Sequence, residues 1–200
     1  MPCRTPLTLT KWLTVLALAF AGLAATQALE AAGKAERSEK MSPQVSQVQG
    51  FTVVGITGRT NNANEMTPSG IIGKLWGRLM QENLLTKIPD RVDENIVAVY
   101  TDYASDKDGD YTFVIGAKVS QDSEIPAGMI GTKVATGKYA DFTSERGPAN
   151  RVVPELWQTI NSLAKNVPGG DRVYHSDFEV YDQRARNPQD AIVDVFVGIR

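Results

Sequence analysis

The sequence predicts an α+β fold made of two tandem β-α-β-β units, which share one antiparallel sheet and place both helices on one face. Each half of the chain shows the order strand, amphipathic helix, strand, strand. Landmarks also recur between the halves at an offset of 81 or 82 residues: Leu75-Trp76 as Leu156-Trp157, Val99-Tyr100 as Val180-Tyr181, and Gly116 as Gly198. This regularity indicates a duplication. Two such units would leave a ligand groove along the pseudo-twofold axis between the repeats.

In the first repeat, the β-rich segment 51–57 precedes a loop dense in turn-forming residues at 59–70. Apolar residues in 71–85 then recur at helical spacing, which predicts an amphipathic helix. The pair Asp108-Gly109 is a strong hairpin signal and joins two further predicted strands, which are 96–103 and 111–119.

The second repeat has the same order of elements. Segment 133–142 is predicted as a strand and 152–167 as a helix, in which Pro154 suits the first turn because its missing N–H costs nothing there. Two strands follow, over 172–181 and 191–199.

Composition excludes several classes of protein. The chain has 200 residues, of which 42% are hydrophobic and 22% charged, values typical of a globular domain. The net charge of −2 comes without a basic stripe, so nucleic acid is not an expected partner. Cys3 is the only cysteine and His175 the only histidine, which argues against disulfides and thiolate metal clusters. No cofactor and no metal is predicted.

The N-terminal segment has the features of a secretory signal. Arg4 and Lys11 precede an almost wholly apolar run over 12–23, and small residues then favour cleavage after Ala28. We therefore expect 1–28 to be a signal peptide and the protein to be periplasmic or secreted, with membrane attachment only if this segment stays uncleaved. The polar segment 29–49 reads as a flexible linker. The domain should then span 50–200, with repeats at 50–121 and 131–200.

The predicted strand VYHSDFEVYD carries a carboxylate between aromatic and apolar neighbours. Strand alternation places Asp177, Glu179 and Tyr181 on one face. A buried carboxylate is costly unless it is paired, so Glu179 lies either at the solvent face or in a pocket that receives a donor or a cation. The residues alone leave both readings open. The matched position in the first repeat is Ala98.

Several segments together resemble the GyrI-like effector-binding domain, the small-molecule module of AraC- and MerR-type regulators. They are GKYADF, DFEVYD, VDVFVGI and YTDYASDKDGDYTFVIG, in family order over about 50–200. The resemblance implies multidrug-type binding of lipophilic, often cationic, small molecules in the groove. It also implies that Glu179 is the central ligand-contacting glutamate, with Tyr139, Trp76 and Tyr103 as aromatic lining. Tyr181 joins them by its position on the strand. The expected role is that of a stand-alone bacterial envelope binding protein with no catalytic residues.

Three alternatives stay open at this point. A small-molecule hydrolase would use Glu179 to activate water and Tyr139 to donate to developing charge. A metal site of His175, Asp177 and Glu179 is conceivable but crowds one strand. A module that binds a protein partner would use a sheet edge or the linker 29–49, although no particular protein partner is indicated. For Trp157, the helical periodicity favours core packing over a place in the groove.

Overall fold

A computed structural model describes residues 43–163 and 166–200. The predicted signal peptide at 1–28, its cleavage site after Ala28 and residues 29–42 of the predicted linker lie outside the described residues.

The described chain has ten strands and three helices, and the long elements follow the predicted order. The strands are β1 Gln44–Val48, β2 Phe51–Thr60, β3 Ile96–Thr101, β4 Tyr111–Val119, β5 Ile130–Val134, β6 Gly137–Thr143, β7 Asn166–Val167, β8 Gly170–Asp171, β9 Ser176–Tyr181 and β10 Asp194–Ile199. The helices are α1 Asn62–Glu65, α2 Ile72–Gln81 and α3 Ala149–Ser162, with 3-10 turns at Leu84–Lys87 and Gln183–Ala185.

Eight strands form one antiparallel sheet in the order β1-β6-β10-β9-β3-β4-β2-β5. The first repeat supplies β2, β4 and β3, the second supplies β6, β10 and β9, and the two meet where β3 pairs with β9. Ala98 lies directly opposite Glu179 in that pair. These two residues are also equivalent at the offset of 81, so the pseudo-twofold axis passes between them. The predicted fold class is confirmed.

The sheet ends differ from the sequence expectation. The predicted strand 133–142 is two strands, β5 and β6, because the chain turns at residues 135–136. The predicted linker reaches residue 49, but Gln44–Val48 forms strand β1, paired with β6. An edge strand is held by main-chain hydrogen bonds, which do not require the apolar side chains that this segment lacks.

The two outer strands cross between the repeats. β1 leads into β2 yet pairs with β6, while β5 leads into β6 yet pairs with β2. The two short links meet, since the Gly50 N–H donates to Thr136 Oγ1 at 2.8 Å. The face of the sheet opposite the helices carries a second apolar core, formed by Val53, Val97, Val99, Val114, Val134, Tyr139 and Phe178.

The helices differ from their predicted limits. α2 ends at Gln81 because Asn83 adopts a left-handed conformation, with φ 49°, before the 3-10 turn. α3 begins at Ala149, three residues earlier than predicted, which puts Pro154 inside the helix rather than in its first turn. No helix within 43–163 or 166–200 combines the length and the apolar character that crossing a membrane requires.

The carboxyl group of Asp141 on β6 gives the fold a pH dependence. Burial, followed by the nearby Asp194 carboxylate, raises the pKa of Asp141 to about 6, although Arg184 and Ser46 lower it. Oδ1 of Asp141 is buried and has no hydrogen-bond partner among the described residues. A raised pKa means that the folded state holds this proton more tightly than the unfolded chain, whose Asp titrates near pH ~3.9. The contribution of the Asp141 carboxyl group to the free energy of unfolding is therefore fully present below pH ~4 and is lost as the pH rises through ~6.

Asp141→Asn should remove this dependence. We expect the variant to exceed the wild-type free energy of unfolding by about 1–3 kcal/mol at pH 7.5 and by less at pH 5, since the amide has no charge to desolvate. Urea unfolding at both pH values measures the difference. Asp122→Asn, which changes an exposed turn carboxylate, is the matched control. Equal destabilisation by Asp141→Asn at both pH values would contradict this account.

Candidate ligand-binding site

A cavity of about 1550 Å³ lies between the two long helices and the sheet. Typical ligand pockets measure ~300–1,000 Å³, so this one is large enough for a bulky small molecule. Both repeats line it, and its floor includes Tyr100 on β3 and Glu179 on β9. The cavity therefore lies on the pseudo-twofold axis, where the sequence predicts the groove. We call it the cleft.

The two helices contribute equivalent positions to the cleft walls. Those of α2 are Ile72, Gly73, Trp76, Gly77 and Met80, and those of α3 are Val153, Pro154, Trp157, Gln158 and Asn161, each 81 residues later. The spacing i, i+1, i+4, i+5, i+8 defines one face of a helix. Residues outside this face are buried, for example Leu79 on α2 and Leu156 on α3.

Glu179 lies in the cleft floor and is 1% exposed. Its Oε1 accepts hydrogen bonds from the Tyr100 hydroxyl at 2.7 Å and from Trp157 Nε1 at 2.5 Å. Its Oε2 accepts one from the Tyr181 hydroxyl at 2.7 Å. Ala98, directly across on β3, adds almost no side-chain volume beside it. Neutral donors from both repeats thus converge on one carboxylate.

The charge of Glu179 lacks a cationic partner among the described residues, where no basic side chain forms an ion pair with it. Burial raises the pKa of this carboxyl group, whereas the bonds from Trp157, Tyr100 and Tyr181 lower it. Hydrogen bonds to the charged form of a carboxyl group stabilise that form without neutralising it. The floor of the cleft therefore holds a buried carboxyl group whose charged form is opposed by burial and supported by three neutral donors.

The tyrosine donors remain protonated. Burial, followed by the charge of Glu179, raises the pKa of the Tyr100 hydroxyl and that of the Tyr181 hydroxyl well above the usual tyrosine value. Both hydroxyls therefore stay available to donate to Glu179 throughout the physiological pH range.

Aromatic rings flank the carboxylate in two equivalent pairs. Trp76 packs edge-on against Tyr181 with ring centroids 4.7 Å apart, and Trp157 packs in the same way against Tyr100 at 4.9 Å. The offset of 81 converts one pair into the other. Tyr111 extends this surface and packs against Tyr100 at 5.4 Å. The rings provide both apolar area and negative π faces.

Arg172, which lines the cleft, belongs to a buried ion pair. Arg172 Nη2 lies 2.7 Å from Asp177 Oδ2, and the two side chains are 2% and 0% exposed. Asp177 also accepts from the Tyr103 hydroxyl at 2.8 Å and from the Gly198 N–H at 2.9 Å. The Arg172 guanidinium lies over the Trp157 ring at 5.5 Å. The two charges of this pair neutralise each other.

Most of the predicted site residues come together in the cleft. Glu179, Trp76, Tyr103 and Tyr181 all line it. The Tyr103 hydroxyl donates to Asp177 rather than to Glu179.

Tyr139 does not line the cleft, so its assignment as a ligand-binding residue is wrong. Its ring packs against Phe178 in the core on the opposite face of the sheet, and its hydroxyl donates to the Ala135 carbonyl at 2.9 Å. Phe178 and Glu179 are neighbours on β9, and strand alternation sends them to opposite faces. A tyrosine that packs on Phe178 is therefore screened from Glu179 by the sheet.

The sequence does not assign Tyr100, Tyr111, Trp157 or Arg172 to the ligand site, yet all four line the cleft. Asp177, the partner of Arg172, enters the prediction only through its strand face and as a possible metal ligand. The chain carries a signal for Tyr100, because it is the repeat equivalent of Tyr181. The core packing favoured for Trp157 is correct only in part, because its indole N–H binds Glu179.

The metal site of His175, Asp177 and Glu179 is not formed. His175 is exposed, and Asp177 is engaged by Arg172. Within the part of the chain that the structure describes, no three His, Cys, Asp or Glu side chains form a group that could hold a metal ion.

Comparisons with known proteins agree with this architecture. The model of a family described as Cass2, integron-associated effector binding protein, matches residues 44–199. The chain is 34% identical over 147 residues to the putative transcriptional regulator protein YobU of Bacillus subtilis (strain 168), which covers 73% of this chain and 90% of that protein. It is 30% identical over 165 residues to the transcriptional regulator BrlR of Pseudomonas aeruginosa. That match covers 82% of this chain but only 57% of BrlR.

Solved structures share the fold. The integron cassette protein VCH_CASS2 from the mobile metagenome of Vibrio cholerae aligns with a TM-score of 0.61 and 27% identity, over 80% of this chain and 96% of that one. The structure of SAV2435 bound to tetraphenylphosphonium aligns with a TM-score of 0.60 and 16% identity, over 80% and 94%. At that identity the second likeness concerns the fold alone.

Proposed function

The chain belongs to the family of integron-associated effector binding proteins, and from this premise we propose that its cleft binds small lipophilic cations, with Glu179 as the counter-charge. One observation carries the proposal. Glu179 is a buried carboxylate that receives three neutral donors and, among residues 43–163 and 166–200, no cationic side chain, in a cavity walled by aromatic rings.

Electrostatics favours a cation at this place. An isolated buried charge is costly, and a ligand of opposite sign relieves that cost. The low dielectric of the cleft strengthens the attraction, and the faces of Trp76, Trp157 and Tyr111 add cation–π contacts. Neutral molecules of the same shape would gain only the apolar contacts.

The hydrogen-bonding state of Glu179 argues for broad selectivity. A carboxylate offers about four lone-pair sites, and three of those of Glu179 are already occupied. Recognition then depends mainly on charge and apolar area, which need little directional matching. Tetraphenylphosphonium, the ligand bound to SAV2435, combines one positive charge with four aromatic rings and is therefore a suitable probe.

Binding measurements with matched probes test this proposal. We would titrate the purified chain with tetraphenylphosphonium, with neutral triphenylphosphine oxide and with the anion tetraphenylborate, and follow both tryptophan fluorescence and equilibrium dialysis. Trp76 and Trp157 line the cleft, so binding should change their emission. We expect micromolar binding of the cation, weaker binding of the neutral probe and none of the anion. Equal binding of cation and anion would refute a role for the Glu179 charge.

The hydrolase alternative has no support from the geometry. It pairs Glu179 with Tyr139, and these side chains lie on opposite faces of the sheet. They cannot contact one substrate together, so we do not propose that reaction.

We also propose that the chain is exported to the bacterial envelope. The support is the basic start, the apolar run and the small residues that end at Ala28. N-terminal sequencing of the protein from a periplasmic fraction should then begin at Leu29. Recovery of the intact chain in the cytosolic fraction would refute export with cleavage.

A further inference from the structure

Two glycines lie on the cleft face of α2. Gly73 and Gly77 are four residues apart, one on each side of Trp76, and both line the cavity. Glycine weakens a helix because it loses more backbone freedom on folding than other residues do. Two glycines within a ten-residue helix therefore call for a reason.

Neither steric crowding nor backbone conformation requires glycine at Gly73 or Gly77. A Cβ at Gly73 would meet no atom within 4 Å, and a Cβ at Gly77 would meet only Gln81 Nε2, at 3.9 Å. Neither residue has a positive φ. Gly55 and Gly116 show the contrast, because a Cβ there would lie 2.1 and 1.9 Å from a backbone oxygen. Side chains at Gly73 and Gly77 would extend into open space at the cleft.

The second repeat fills the equivalent positions. Pro154 and Gln158 stand 81 residues after Gly73 and Gly77, and both line the cleft from α3. The α3 wall of the cleft thus carries side chains at two positions where the α2 wall has only glycine. The open volume of the cleft is consequently displaced from the pseudo-twofold axis towards α2.

The two tryptophans show the same asymmetry. Nε1 of Trp157 is held by Glu179 at 2.5 Å. Trp76 is its repeat equivalent, but the residue equivalent to Glu179 is Ala98, which offers no acceptor. The α2 wall therefore lacks the bond that fixes the ring of the α3 wall.

We propose that Gly73 and Gly77 determine ligand size, by forming a slot beside Trp76 that seats the bulk of a cation against α2 while its charge faces Glu179. The inference rests on the proposed function, since it concerns the same cleft. It adds that bulky, multi-ring cations are the preferred class and that their rings lie off the axis.

The test compares two cations on defined variants. The probes are bulky tetraphenylphosphonium and small benzyltrimethylammonium. Gly77→Gln gives α2 the side chain that α3 carries at Gln158, and Gly77→Ala is the minimal change. Gly137→Ala makes the same minimal change on β6, outside the cleft, where a Cβ would only reach Tyr139 at 4.0 Å.

We expect Gly77→Gln to weaken tetraphenylphosphonium binding about tenfold or more, and to leave benzyltrimethylammonium within about twofold. Gly77→Ala should weaken the bulky probe less and raise the melting temperature by roughly 2–4 °C, because alanine favours the helix. Gly137→Ala should leave both affinities unchanged.

Each other outcome is decisive. If the wild type binds neither cation, the proposed function fails and the slot fails with it. If the wild type binds both probes and Gly77→Gln weakens both equally or neither, the proposed function survives but the slot is refuted. The melting temperatures of Gly77→Gln and Gly77→Ala are measured as well. A value at or above that of the wild type excludes unfolding as the cause of that variant's weaker binding.

Discussion

Glu179→Gln is expected to weaken tetraphenylphosphonium binding about 30-fold or more, equivalent to ~2 kcal/mol, because it removes the buried charge that the cation neutralises. The shape of the side chain is retained. Its amide oxygen still accepts from the donors that bind Oε1, Tyr100 and Trp157. The amide nitrogen faces the Tyr181 oxygen, which can accept. We expect the melting temperature to be unchanged or higher, since burial of the charge opposes folding.

The pH dependence of binding gives a second readout for the same variant. Burial raises the pKa of Glu179, so a proton and a cation compete for one carboxylate. The wild-type affinity for a permanent cation should rise with pH through that raised pKa and then level off. Glu179→Gln should show a low affinity that does not change with pH.

Glu94→Gln is the matched control for Glu179→Gln. Glu94 also lines the cleft but is exposed, so solvent screens its charge. We expect its replacement to change tetraphenylphosphonium affinity by no more than about threefold. If both variants lose affinity to the same extent, the cation responds to the net charge of the cleft and not to Glu179.

Arg172→Met should be the most destabilising of the substitutions considered, with a loss of about 3–5 kcal/mol in the free energy of unfolding. Methionine fills much of the same volume but leaves the Asp177 carboxylate buried without its cation. The Tyr103 hydroxyl and the Gly198 N–H would still bind Asp177, but neither carries a positive charge.

Urea unfolding of four variants, namely Arg172→Met, Asp177→Asn, their combination and Arg146→Met, separates the ion pair from general packing. Asp177→Asn combined with Arg172→Met should cost less than the sum of the two single changes, because neither charge is then left unpaired. Arg146→Met breaks the exposed pair with Asp190, whose side chains are both 57% exposed. It should cost less than about 1 kcal/mol. Additive losses at Arg172 and Asp177 would show that the two charges do not stabilise each other.

The sequence predicts the repeated fold and the cleft residues Trp76, Glu179 and Tyr181, because both follow from local periodicity. Helical spacing defines the stripe that includes Trp76, and strand alternation puts Glu179 and Tyr181 on one face. The offset between the repeats also makes Tyr100 the equivalent of Tyr181, a signal for the site that the prediction does not use. These relations need no knowledge of which strands are neighbours in the sheet.

Non-local packing accounts for what the sequence does not predict. Tyr139 packs on the far face because of how β6 lies relative to β9, and no pattern within GKYADF encodes that relation. β1 is ordered by main-chain bonds to a strand about ninety residues away. Arg172 becomes part of the cleft through a bridge between its own main chain and Ile199. Each depends on a contact between segments distant in the chain.

The facing pair Ala98 and Glu179 has an evolutionary consequence. If two identical single-unit chains assembled about a true twofold axis, the residue at this position would face its own copy. Such a dimer would carry either two carboxylates that repel each other at close range or none. Once the units were fused in one gene, each copy could mutate independently. A lone negative charge on the axis is thus a property that only the duplicated gene could acquire.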